Sequence, residues 1–196
     1  LRPILGLFCR PPVAKQSSIV NCVMLNDRSI NNKLRELYYL LYTRAYDVII
    51  IGESWLRSST PDGLIDPNNR YTCIRCDRQS VFSGGGVCVF VSKVYAVVVI
   101  DLADIYPELE ICCFDLMFES CRCRVVAVYR APSCDSSHMS RLLECLRKFS
   151  DEGYHCIIAG DLNCPGVDWV SLKAPADNVQ DALLDFAVTR SFSQIV

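Results

Sequence analysis

Short, dense apolar runs closed by glycine or polar residues alternate along this chain with stretches of helical periodicity. Ile19–Leu25, Val48–Ile51, Tyr71–Arg75, Val87–Val91, Val94–Ile100, Glu110–Met117, Arg124–Tyr129 and Cys156–Ala159 read as strands. They are rich in β-branched residues and bounded by turn formers, as half-buried or buried strands are. Phe192–Val196 reads as the start of another strand. Leu34, Leu37, Leu40 and Leu41 recur at helical spacing behind Ser29, a residue type that caps helix N-termini. Met139, Leu142, Leu143, Leu146 and Phe149 give Ser136–Phe149 one apolar face, and Asp181–Val188 also reads as helix.

The strand–helix–strand order over residues 19–51 predicts a right-handed unit with parallel strands. Only Ser92 and Lys93 separate the next two apolar runs, which is hairpin spacing, so the middle of the chain is antiparallel in character. No repeat, low-complexity segment or linker interrupts the pattern. The expectation is a single mixed α/β domain, with two sheets packed face to face and helices outside. Residues 1–18, broken by Pro3, Pro11 and Pro12, read as an extension ahead of a domain over 19–196. A chain that starts with Leu is expected to be a fragment of a longer reading frame.

Composition narrows the class. Hydrophobic residues make up 51% and charged ones 21%, a globular balance. The run Val94–Ile100 is far too short to cross a bilayer, and LRPILGLFCRPP lacks the small-residue cleavage site of a signal peptide. The 13 cysteines are odd in number and show no disulfide framework. Cys73 and Cys76 form a CxxC that no second pair completes into a zinc site. Buried free thiols are the plainer reading, and with them a reducing compartment, nucleus or cytosol.

A net charge of −2 argues against holding nucleic acid by bulk electrostatics. The charge is uneven, however. Residues 1–80 carry 11 basic and 7 acidic side chains, residues 81–196 carry 9 and 15. Arg70, Arg75 and Arg78 cluster in the basic part and read as a phosphate-contacting surface or, more plainly, a solvated face. Ser83–Gly86 is not a phosphate cradle: no Lys-Ser/Thr follows, and a strand rather than a helix comes next.

The candidate chemistry lies at strand ends. Asn26, Glu53, Tyr129, Asp161 and Asn163 each fall at or just beyond the C-terminal end of an expected strand, where α/β sheets bind ligands. Singly, each is an ordinary turn, helix-start or strand-end residue. Together they are the types that phosphodiester hydrolysis needs. Glu supplies a hard oxygen for Mg²⁺, which uses few carboxylates and acts as a Lewis acid on phosphate. Asn and Tyr hold phosphate oxygens without adding negative charge, and Asp161 can orient or deprotonate a water.

Five stretches in order, NDRSINNKLREL (26–37), DVIIIGESWL (47–56), GGGVCVFV (84–91), VVAVYRAPS (125–133) and IIAGDLNCPGVDW (157–169), carry a resemblance. The sequence resembles the endonuclease/exonuclease/phosphatase superfamily, and within it the endonuclease domain of LINE-type (non-LTR) retrotransposons. The resemblance implies a four-layered α/β sandwich, Mg²⁺ (or Mn²⁺) as cofactor, and DNA as the partner. It also implies nicking that primes reverse transcription, and a reverse transcriptase domain downstream. By motif, Glu53 and Asn26 match the metal-side residues, Tyr129 the phosphate-contacting tyrosine, and Asp161 and Asn163 the pair that positions the nucleophile. Asp27 departs from the usual alanine, placing an extra carboxylate beside the site. The family closes its site with a terminal Asp–His pair; FSQIV (192–196) resembles the start of that region, so the closing strands are expected to be missing. His138 and His155 read as surface or packing residues. Two alternatives remain, an inactive remnant of such a domain and a superfamily phosphatase.

Overall fold

The computed structural model describes residues 7–9, 19–43, 46–78, 84–119, 121–150, 155–177 and 179–195. The strands are β1 (Leu7–Cys9), β2 (Cys22–Asn26), β3 (Val48–Gly52), β4 (Tyr71–Cys76), β5 (Val87–Ser92), β6 (Ala96–Ile100), β7 (Glu110–Met117), β8 (Arg122–Tyr129), β9 (His155–Asp161) and β10 (Ser193–Gln194). The helices are α1 (Leu34–Thr43), α2 (Asp62–Ile65), α3 (Ser136–Phe149) and α4 (Gln180–Thr189). Both sheets are mixed. One runs β2-β3-β5-β4, the other β10-β1-β9-β8-β7-β6.

Strand alternation builds the layers. In β3, Val48 and Ile50 face the larger sheet with Val87, Val89, Phe114 and Val125, while Ile49 and Ile51 face α1 with Leu37 and Leu41. β3 is buried along its whole length, as its unbroken VIIIG run requires. The outer face of the larger sheet packs Val126, Val128 and Ile158 against Met139, Leu142 and Leu146 of α3 and Leu183 and Phe186 of α4. The order is therefore helix, sheet, sheet, helices: the four-layered sandwich.

The parallel pairing of β2 with β3 bears out the expected strand–helix–strand unit, in register from Cys22↔Val48 to Asn26↔Gly52. Several local expectations change. β5 and β6 are not a hairpin. β5 pairs with β3 and β4, whereas β6 pairs with β7 in the other sheet. Burial decides this: VCVFV needs cover on both faces, while β6 is half exposed at a sheet edge. Ser29 is no α-helix cap. It sits at φ 98° before a single 3₁₀ turn, makes no side-chain cap bond, and α1 begins only at Leu34. Within residues 1–18, Leu7–Cys9 forms a strand between β9 and β10. The rest of that stretch lies outside the described residues, as do Ser83 and Val196.

The real N-cap is Asp135, whose carboxylate accepts from His138 N at 2.9 Å at the start of α3. Asp135→Ala should cost about 1 kcal/mol, read as a lower urea midpoint with unchanged slope. Among the described residues the cysteines from Cys22 to Cys164 form no disulfide, and burial pushes Cys113 and Cys145 up to about 12. Cys73 packs on the α1 side of its sheet and Cys76 on the opposite face, so the CxxC cannot chelate. Among the described residues no helix is long and apolar enough to cross a membrane.

Candidate active site

Backbone hydrogen bonds lace the strand-end loops together before any side chain is considered. Asp27 N donates to Gly52 O at 3.1 Å, Ser29 N to Glu53 O at 3.0 Å and Ile30 N to Ser54 O at 2.9 Å. Ser54 N and Trp55 N donate to Gly86 O and Gly85 O at 3.2 and 3.0 Å, and Arg130 N to Asp161 O at 2.9 Å. Glu53 and Asn163 sit at φ 51° and 49°, the left-handed region where strained functional residues concentrate. The glycine run has a structural purpose here. Gly86 has φ 83°, and a Cβ on it would lie 2.7 Å from Ser54 Oγ, so the loop that receives Ser54 N needs glycine.

All five sequence-derived residues fall in one bonded cluster. Asn26 Nδ2 donates to Glu53 Oε1 and to Asp161 Oδ2, both at 3.0 Å. The Tyr129 hydroxyl donates to the same Glu53 oxygen at 3.2 Å. Asn163 joins from one side: its N–H donates to Asp161 Oδ1 at 3.0 Å, and its amide Nδ2 donates to Arg130 O at 2.7 Å. Burial first, then the neighbouring Glu53 charge, push the Tyr129 phenol well above its ordinary value. It stays a neutral donor throughout the physiological range.

The donor set fits a hard cation. Asn26 Oδ1 is buried and has no partner among the described residues, while its amide spans two carboxylates. Two carboxylates and a neutral amide oxygen match the few-carboxylate habit of Mg²⁺. They do not match the nitrogen and sulfur set of a structural zinc. Among the described residues no three His, Cys, Asp or Glu side chains converge.

Other readings from the sequence resolve differently. The Asp27 carboxylate is buried and pairs with Lys33 Nζ at 3.0 Å, so its charge is answered locally. Arg75 is neither a solvated face nor a phosphate surface: Asp62 and Asp77 hold it, each at 2.6 Å. Arg78 is held by Glu110 at 2.5 Å. His155 opens β9, at the end opposite Asp161, and His138 lies in the first turn of α3. Trp55 lies beside Gly84, and Trp169 packs against the α3–α4 core.

Sequence reasoning passed over Arg130 and Glu110, and it read Arg78 as part of a basic surface rather than as a partner of Glu110. Arg130 is 2% exposed beneath the site, and its carbonyl holds Asn163. The one signal for Arg130 was its place directly after Tyr129. A groove of about 1380 Å³ runs from Asn26, Asp161 and Asn163 past Arg28, Arg35 and Trp169.

One pH prediction follows from Tyr129. Its folded value is raised above the ordinary one of about 10, so its contribution to stability is complete below that pH and is lost as pH rises beyond it. Tyr129→Phe should make the alkaline fall in unfolding free energy shallower above about pH 10. An unchanged slope in denaturant titrations would refute the assignment.

No protein-family model matches this chain, and no curated protein does. Solved structures do. The chain is similar to the endonuclease domain of TRAS1, a telomere-specific non-LTR retrotransposon. The TM-score is 0.62 at 16% identity, over 88% of this chain and 71% of that one. An AP endonuclease from Archaeoglobus fulgidus matches with a TM-score of 0.60 at 13% identity, over 87% and 71%. The 3′ phosphatase NExo from Neisseria, solved with a product DNA hairpin, matches with a TM-score of 0.56 at 17% identity, over 77% and 60%. With its helix–sheet–sheet–helix layering, the chain shares the fold of these three proteins, as the resemblance to the endonuclease/exonuclease/phosphatase superfamily led us to expect.

Proposed function

We propose that this chain is a Mg²⁺-dependent endonuclease domain of the LINE retrotransposon type, which cleaves one strand of DNA to prime reverse transcription. The observation that carries the reading is the Asn26 amide. It draws together Glu53 and Asp161, which lie 27 and 135 residues away in sequence. Bringing these groups together at the open ends of two different sheets is what a phosphodiesterase needs and a plain α/β core does not. The product DNA hairpin bound to NExo supports DNA as the substrate class, and free thiols suit a nuclear or cytosolic setting.

Each side chain then has a task. Glu53 and Asn26 Oδ1 would hold Mg²⁺, with Mn²⁺ as a substitute. The bound ion supplies Lewis acidity toward the scissile phosphate. Asp161 orients a water and accepts its proton. Tyr129, kept neutral, would turn its single O–H from Glu53 to a non-bridging phosphate oxygen, and the second N–H of the Asn163 amide would hold another. Arg28 and Arg35, at the groove beside the site, are placed to meet flanking phosphates.

The test is conversion of supercoiled plasmid to nicked circle by the purified chain. Nicking is expected in Mg²⁺ and absent in EDTA, with recovery on adding Mg²⁺ or Mn²⁺. A folded chain that releases phosphate from a 3′-phosphorylated oligonucleotide but leaves plasmid intact would favour the phosphatase alternative. A folded chain inert in both assays would be a remnant.

A further inference from the structure

Glu110 and Arg78 belong to none of the motifs that led to the site, yet both routes into it pass through them. We infer that the Arg78–Glu110 ion pair is a positioning unit that holds Glu53 and Tyr129 in working geometry, an inference that rests on the function proposed above. The first route runs across the larger sheet. Glu110 is the register partner of Tyr129 between β7 and β8, and the Arg78 guanidinium lies 5.8 Å from the centre of the Tyr129 ring. That is within the range of a favourable cation–ring contact.

The second route runs through the glycine loop. One oxygen of Glu110 accepts from Gly86 N, and the other accepts from Arg78 Nε at 2.6 Å and Nη2 at 2.5 Å. The Gly86 and Gly85 carbonyls then receive the N–H groups of Ser54 and Trp55, the two residues after Glu53. A Cβ on Gly85 would stand 2.3 Å from Arg78 Cζ, so the guanidinium packs flat against that loop. Glu53 has a left-handed backbone that needs outside support, and its other support is the Ser29 bond on the far side. Both partners are partly buried, at 26% and 15% side-chain exposure. Removing either would loosen Glu53 and Tyr129 together, without touching substrate.

Arg78→Gln and Glu110→Gln, with Arg78→Lys as the conservative variant, test this by calorimetric titration with Mn²⁺ and by plasmid nicking. Each Gln variant should weaken Mn²⁺ binding about tenfold and lower kcat by about 10–100-fold, with KM for plasmid within about twofold of wild type. The double variant should cost no more than the worse single one, because the two act as a unit. Arg78→Lys should recover part of the loss by keeping the charge opposite Glu110. Near-UV circular dichroism checks that each variant is folded. Mn²⁺ affinities within about twofold of wild type in the folded variants would overturn the inference, whatever their stability. A wild-type chain that takes up no Mn²⁺ overturns it along with the proposed function. A wild type that binds Mn²⁺ without nicking overturns the function alone, and the affinity ratios still decide the positioning role.

Discussion

Asp161→Asn should lower plasmid nicking by about 10²–10⁴-fold, the usual worth of a positioned proton acceptor, while leaving the fold intact. The substitution keeps the size of the side chain and one oxygen, so the bond from Asn163 N to Oδ1 can persist. What it removes is the charge and the second acceptor, the oxygen facing Asn26 Nδ2. An amide placed there would set one N–H₂ group against another unless one of them turned. The expected loss of stability is therefore modest, about 1 kcal/mol for one partly buried hydrogen bond. Single-turnover nicking at saturating Mg²⁺ separates this effect from weaker cation binding. If Asp161→Asn nicks within about threefold of wild type, Asp161 is not the proton acceptor. Lost nicking and a collapsed melting transition together would make it a structural residue instead.

Gly160→Ala carries the largest expected effect on stability. Gly160 faces Val128 in the parallel pairing of β9 with β8. A Cβ at this position would fall 1.9 Å from Val128 O and 2.6 Å from Val128 Cγ1. The clash is with backbone and with a β-branched side chain in the middle of a sheet, neither of which can step aside. β9 lies between β1 and β8, so opening the ladder disturbs the sheet on both sides. Destabilisation should exceed about 4 kcal/mol, the range reserved for overpacking and strain, and Asp161, the next residue, should lose its register. Gly63→Ala is the matched control: no atom of the described residues lies within 4 Å of its Cβ position, and it sits in the short helix α2. That change should be neutral or stabilising by about 0.4–1 kcal/mol. Urea denaturation of the two variants side by side measures the contrast. A Gly160→Ala chain within about 1 kcal/mol of wild type would show that β8 and β9 can separate without cost.

The two glycines mark the boundary between what the sequence states and what it leaves open. Nothing in AGD or DGL separates a glycine required by a neighbouring backbone from one that is free. Only the partner strand, some thirty residues away, makes the difference. The same holds for pairing. Ser92 and Lys93 satisfy the spacing of a hairpin, yet β5 and β6 end in different sheets because VCVFV demanded cover on two faces.

Local chemistry is what the sequence determined. Dense apolar runs placed every strand but β1, the 3.6-residue period placed α3 with its correct ends, and the glycine and polar residues after the strands marked where a site would form. Motif wording brought Asn26, Glu53, Tyr129, Asp161 and Asn163 forward, because those residue types at strand ends are themselves the signal. Tertiary structure decided which of them touch, and that Asn26 binds both carboxylates. It also decided that Asp27 is answered by Lys33, and that Arg75 and Arg78 serve carboxylates rather than phosphate. Those outcomes depend on which charges come within a few ångströms of each other after folding. Coulombic and hydrogen-bond energies fall off over that distance, and distance along the chain does not report it.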